Sequence, residues 1–179
     1  MNIENNKLVM SDIESRRAFL FTLEWLLALL KRYKNSLQFG LVHIEFGTNH
    51  ELAEAIGVQE AFKRLAMLTT SFSSTFRKTD IVARDAKDFW VIVPYVSDSE
   101  KIHDKILAIF DLEQHHDLNT VDREISIFSL PLVATTLDTT ESGADAVPTT
   151  ALEFLGYLKE NRKRLASSVI KLSSDNTAQ

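Results

Sequence analysis

This chain has no cysteine, only five glycines and three prolines in 179 residues, and no surplus of positive charge. Without cysteine there can be no disulfides and no thiolate chemistry, which fits a reducing compartment. Scarce glycine and proline argue against long flexible linkers. A net charge of −5 argues against a general nucleic-acid binder, which carries a basic surplus on its contact face. Long hydrophobic runs are also missing. Met1 to Met10 is too polar for the apolar core of a secretory leader. The run Phe19 to Leu30 contains Glu24 and falls short of the ~20 residues that span a bilayer. The expected location is the cytoplasm, with membrane attachment only through a tethering segment that precedes this sequence.

The remaining composition is that of a globular protein, with 45% hydrophobic and 25% charged residues. The length predicts one domain, over residues 1–172, with a disordered tail over 173–179. Phe19, Leu23, Leu26, Leu27 and Leu30 repeat at helical spacing and predict a helix over 12–34. Phe21, Trp25 and Ala28 form a second apolar stripe on it, which is either core or a surface for a homodimer or protein partner.

Residues 38–46 alternate as a strand, with Val42, Ile44 and Phe46 on one face. Residues 51–76 are helical, broken near Gly57. Strands follow near 80–84 and 89–96, the second apolar enough to be covered on both faces. Residues 98–115 predict a helix with Ser97 or Asp98 as N-cap, and His115, His116 and Asp117 a polar loop after it. Residues 124–136 predict a strand in which Pro131 marks an edge or a bulge. A polar loop over 137–148 and a last helix over 149–168 complete the chain. This order of elements implies a mostly antiparallel sheet with helices on its faces.

The richest stretch runs from Phe76 to Pro94: a strand, a tight turn and an apolar strand. It contains Arg77 and Asp80 as Arg-x-x-Asp, then Arg84, then the turn Ala86-Lys87-Asp88-Phe89-Trp90. It resembles the signature hairpin of the GGDEF family, the diguanylate cyclase domains, in which Arg-x-x-Asp leads into Arg-x-Gly-Gly-Asp/Glu-Glu-Phe. Further matches extend the resemblance over most of the chain. Ile13-Glu14-Ser15-Arg16-Arg17-Ala18-Phe19 is similar to the family's Leu-x-Asn-Arg-Arg-x-Phe, and Leu41 to Glu45 falls where the family has Asp-Ile-Asp. Gly57 to Leu65 falls on Gly-His-x-x-Gly-Asp-x-x-Leu, and Lys159 lies near a late Ala-Lys. The resemblance implies an α/β fold of nucleotidyl cyclase type, a central mostly antiparallel sheet flanked by helices.

It also implies a chemistry that this chain has lost. The family joins two GTP molecules into cyclic di-GMP with divalent metals held by carboxylates, and paired glycines let the backbone approach the nucleotide. Here the Asp-Ile-Asp positions carry His43 and Glu45, the guanine-reading Asp is Phe62, and the glycines are Ala86 and Lys87. The third signature position keeps a carboxylate as Asp88, and the fourth is Phe89. These are vestigial active-site positions. The expectation is no cyclase activity, no catalytic residue, no metal and no cofactor.

Two readings of Arg77 and Asp80 stay open: an inhibitory-type cyclic di-GMP site, as the resemblance implies, or a surface ion pair. His43 with Asp88 is either a residual metal pair or a strand histidine beside a solvated turn carboxylate. Lys87 either reaches a phosphate or is a charged turn tip, and Trp90 is core or a stacking platform. The chain is expected to be a silent signalling domain that receives cyclic di-GMP, or a nucleotide-independent interaction or dimerisation module.

Overall fold

A computed structural model of the chain describes residues 3–33, 36–94, 98–132, 148 and 150–174. Helix α1 (Ile3–Arg32) leads into strand β1 (Phe39–Phe46). Helices α2 (Asn49–Ile56) and α3 (Val58–Thr75) follow, then the hairpin β2 (Ile81–Asp85) and β3 (Asp88–Val93). Next come α4 (Ser99–Phe110), a 3-10 helix (Glu113–Thr120), β4 (Arg123–Leu130), α5 (Ala151–Glu160), the short α6 (Arg162–Leu165) and β5 (Ser168–Leu172).

The strands form one sheet in the order β2-β3-β1-β4-β5, and every neighbouring pair is antiparallel. Strand β1 is central. Its alternation sends Val42, Ile44 and Phe46 to one face, where they meet Leu65, Leu68 and Phe72 of α3 and Phe110 of α4. Phe39 and Leu41 go to the other, against Phe19 and Leu23 of α1 and Phe154 and Leu158 of α5. Strand β3 is likewise covered on both sides: Phe89, Val91 and Val93 join the first core, Trp90 and Ile92 the second. His43 and Glu45 share the α1/α5 face by the strand's period of two.

Local signals explain most element ends. Gly57 separates α2 from α3 at φ 81, in the left-handed region that favours glycine. The Thr48 hydroxyl accepts from Glu51 N–H while the Glu51 carboxylate accepts from Thr48 N–H, a reciprocal cap that starts α2. Asp98 caps α4 by accepting from Glu100 and Lys101 N–H, and Ser97 lies outside the described residues.

Several expectations are corrected. Helix α1 begins at Ile3, well before residue 12. The expected last helix over 149–168 breaks at Asn161, whose side-chain amide donates to the Tyr157 carbonyl and closes α5. Beyond the short α6, Ser168–Leu172 is a strand paired with β4. Its two β-branched residues, Val169 and Ile170, suit that edge better than a helix. Strand β4 is therefore interior, paired on both sides, and it stops at Leu130 just before Pro131. The expected strand residues 95–96 and 133–136 and the expected loop up to residue 147 lie outside the described residues. Of the expected tail, Ser174 donates its N–H to Asp122 at 2.7 Å, and 175–179 lie outside the described residues.

Candidate functional site

The β2–β3 hairpin has a two-residue turn, Ala86-Lys87, between the paired Asp85 and Asp88. Ala86 sits at φ 56. Such turns take a positive φ at their first residue, and glycine is the residue that does so without strain. The turn thus has a backbone that favours glycine, with alanine in its place.

The turn aims Lys87 inward. Its largely buried ammonium donates to the Phe46 carbonyl at 2.7 Å and to Glu45 at 3.1 Å, and lies 3.4 Å from Asp88. Lys87 is neither a solvated turn tip nor a free cation. Asp88 is buried, not solvated. Its Oδ2 accepts from Lys159 of α5 and lies 3.3 Å from His43 Nε2. Burial pushes the Asp88 carboxyl up, but His43, Lys159 and the Lys87 charge outweigh it and hold the group well below the usual carboxylate range.

His43 is fully buried and stacks on the indole of Trp90, its cross-strand partner, at 4.1 Å between ring centroids. Burial lowers its pKa against the opposing pull of Asp88. Arg162 Nη2 lies 3.3 Å from Nδ1. An arginine can only donate, so Nδ1 accepts and Nε2 carries the proton of the neutral ring.

Arg162, at the start of α6, also donates to Glu45 at 2.6 Å and to Glu124 of β4. Burial pushes the Glu45 carboxyl up, but hydrogen bonds from Arg162 and Lys87 outweigh it and set its pKa below the ordinary value. The carboxylates Glu45, Asp88 and Glu124 thus face the cations Lys87, Lys159 and Arg162, and Glu124 also lies 3.2 Å from Lys171 at the rim. A divalent ion does not fit this set, because the oxygens it would use already accept from the chain's own cations. Among the described residues no group of three or more His, Cys, Asp or Glu is arranged to hold a metal.

Beside this network lies a cleft of about 490 Å³, lined by Leu52, Ala61, Phe62, Arg84, Ala86 and Lys87 among others. Phe62, at the position the resemblance gives to base reading, lies under the Arg84 guanidinium at 5.0 Å from the ring centroid. Helix α1 crosses the cleft's edge. Asp12 accepts from Arg84 Nε at 3.1 Å, and Asp85 accepts from Arg16 Nε at 3.0 Å. Phe89, at the position of a signature carboxylate, points to the opposite face and is core.

Arg77 and Asp80 stand apart from this cluster, at the other end of β2. Five residues of extended chain place them ~17 Å from the turn. The Asp80 carboxylate accepts from Arg77 N–H at 2.8 Å, and Asp80 N–H donates to the Arg77 carbonyl at 2.9 Å. The two side chains make no ion pair with each other. Among the described residues the exposed Arg77 guanidinium has no hydrogen-bond or salt-bridge partner.

Other side chains fall where sequence reasoning did not place them. His115 is buried in the 3-10 helix, its Nε2 2.8 Å from the Ser71 hydroxyl. Phe21 and Trp25 are 77% and 57% exposed, so their stripe is surface and not core. Asp12, Glu124 and Arg162 carried no motif that singled them out.

No family model matches the sequence. No curated protein matches it either. Solved structures do match by shape. The GGDEF domain of YfiN (TpbB) from Pseudomonas aeruginosa is similar at a TM-score of 0.54 and 15% identity, over 86% of this chain and 92% of that one. The active GGEEF domain of a diguanylate cyclase from Vibrio cholerae has a TM-score of 0.52 and 13% identity, over 84% of this chain and 91% of that one. The GGDEF domain of DgcB from Caulobacter crescentus, in complex with c-di-GMP, has a TM-score of 0.51 and 12% identity, over 83% and 84% of the two chains. The chain therefore has the GGDEF fold. Among the described residues no helix is long and apolar enough to cross a membrane.

Proposed function

We propose that this chain is a catalytically silent GGDEF-fold signalling domain that takes cyclic di-GMP at Arg77 and Asp80. The observation that carries the silence is the placement of Lys87, whose ammonium sits among Glu45, Asp88 and the Phe46 carbonyl. A tethered cation with short, partly buried contacts competes with any metal at no cost in association entropy. The metal that would gather the triphosphate and activate a hydroxyl is thereby displaced. The base-reading carboxylate is replaced by Phe62, which leaves the cleft with an aromatic wall that donates and accepts nothing.

The ligand reading is supported by the free Arg77 guanidinium beside a carboxylate already fixed by the backbone. Arginine can grip a phosphate or a guanine edge with two parallel hydrogen bonds. The occurrence of c-di-GMP on the similar fold of DgcB supports the ligand class. Calorimetry of the purified chain with cyclic di-GMP, GTP and ATP tests both halves. Saturable binding of cyclic di-GMP alone is expected. Heat from GTP that grows with added Mn²⁺ would contradict the silent site. A second reading, a nucleotide-independent interaction module, is favoured by exposed Phe21 and Trp25. Absence of any nucleotide binding would select it.

A further inference from the structure

The exposed face of α1 carries Glu14, Ala18, Phe21, Trp25, Ala28 and Arg32, in alternating steps of four and three residues. That is the spacing of a coiled-coil seam, the pattern that two helices bury against each other. All six are exposed, while Phe19 and Leu23 on the opposite side anchor the helix in the core. Reversed, the seam complements itself: acid, small, aromatic, aromatic, small, base.

We infer that this face pairs with the same face of a second copy of the chain, antiparallel, about a two-fold axis at the level of residue 23. The inference does not depend on nucleotide binding. In that arrangement Phe21 meets Trp25 of the other copy, Ala18 meets Ala28, and Glu14 meets Arg32. The alanines let the backbones approach on either side of the aromatic pairs. The charges decide the direction. A parallel pair would set Glu14 against Glu14 and Arg32 against Arg32, like charges in the seam. Among the described residues Glu14 has no ion-pair partner within its own chain, and Arg32 touches only the Tyr33 ring.

A self-complementary patch on one surface closes as a two-fold dimer and does not propagate. Each aromatic side chain can bury ~150–250 Å². The seam alone thus falls below the standard interface of ~1,200–2,000 Å², which predicts a dimer of micromolar strength.

The chain has no cysteine, so introduced ones report geometry without background. Ala18→Cys and Ala28→Cys are exposed substitutions, and circular dichroism checks that each variant is folded. Under mild oxidation, neither variant alone should cross-link quickly, and an equimolar mixture should. Rapid cross-linking of each variant alone would overturn the antiparallel arrangement. Sedimentation of the unmodified chain should show a dimer forming between about 1 and about 300 µM. Persistence as a monomer across that range would overturn the proposal. Arg32→Glu should weaken the dimer about three- to tenfold, and adding Glu14→Arg should restore it. A dimer indifferent to both changes and to Phe21→Asp would place the interface elsewhere and reject the assignment.

Discussion

The ammonium of Lys87 lies 3.1 Å from the carboxylate of Glu45, across the junction between the hairpin turn and the central strand. That contact turns a turn residue into an internal counter-ion. A glycine at this position could not supply that charge. Lys159 and Arg162 complete the arrangement from the last helices. The stability of the domain should therefore depend on these residues.

Removing Lys159 leaves Asp88 buried with Lys87 as its remaining cation. Lys159→Met should destabilise the fold by about 1–3 kcal/mol, less than for a fully isolated buried charge because Lys87 stays. Urea unfolding followed by circular dichroism measures this. Adding Asp88→Asn should recover part of the loss, since no buried charge is then left unpaired. Equal stability of wild type and Lys159→Met would show that the pair is screened by solvent.

Acid should weaken the fold in two stages. His43, His103 and His115 are each lowered by burial. The unfolded chain then takes up protons that the folded chain refuses, so stability falls as pH drops below the ordinary histidine value near 6.5. Asp88 is depressed in the fold, so its contribution is present above the ordinary carboxylate value and is lost as pH falls further. Urea midpoints between pH 7.5 and 5 should decline, and His43→Gln should flatten the decline. Because the folded His43 stays neutral over this range, emission of the stacked Trp90, isolated by a Trp25→Phe background, should stay flat while the midpoint declines. An unchanged urea midpoint would contradict the sign of the histidine effect.

The turn should gain from the glycine it lacks. A non-glycine residue in the left-handed region costs ~1–2 kcal/mol, and glycine's greater freedom when unfolded offsets ~0.5–1 of that. Ala86→Gly should therefore raise stability by about 0.5–1 kcal/mol, seen as a higher urea midpoint. A lower midpoint would mean that Ala86 is not strained at φ 56.

Cyclic di-GMP binding should depend on Arg77 and not on the turn. Losing a charge-assisted bidentate contact removes ~1.5–3 kcal/mol, or about 10- to 150-fold in affinity. Arg77→Ala should show that loss by calorimetry. Asp80→Ala should also weaken binding, because its carboxylate fixes the Arg77 backbone. Lys87→Ala should change affinity by less than about threefold. Undiminished binding by Arg77→Ala would remove the site.

Much of the scaffold was legible in the chain. The alternation of Val42, Ile44 and Phe46, the break at Gly57 and the two-sided strand after Asp88 all follow from local periods that burial enforces. Strand β5 was not legible. Ser168 to Leu172 is a short edge whose pairing comes from Ile125 and its neighbours far back in the chain. The basic run before it reads as a helix end. The candidate site was legible only as a set of departures. His43, Glu45 and Asp88 could be marked as changed, but Arg162 meets Glu45 across 117 positions of sequence and has no periodicity of its own. The direction of Lys87 was equally hidden, since a turn lysine points outward unless carboxylates beneath it are known. For Phe21 and Trp25, helical spacing put both on one stripe, and only the packing of Phe19 and Leu23 decided which stripe is inside.

The measurement that tests the central claim most directly is turnover of GTP. The purified chain at high concentration is incubated with GTP and either Mg²⁺ or Mn²⁺, and the products are identified by mass spectrometry. A Lys87→Ala, Asp88→Ala double variant serves as the background. On the proposed reading, in which Lys87, Lys159 and Arg162 occupy the carboxylates that a metal would need, the wild type should make no cyclic di-GMP above that background with either ion. Steady accumulation of cyclic di-GMP by the wild type, and not by the double variant, would contradict the account.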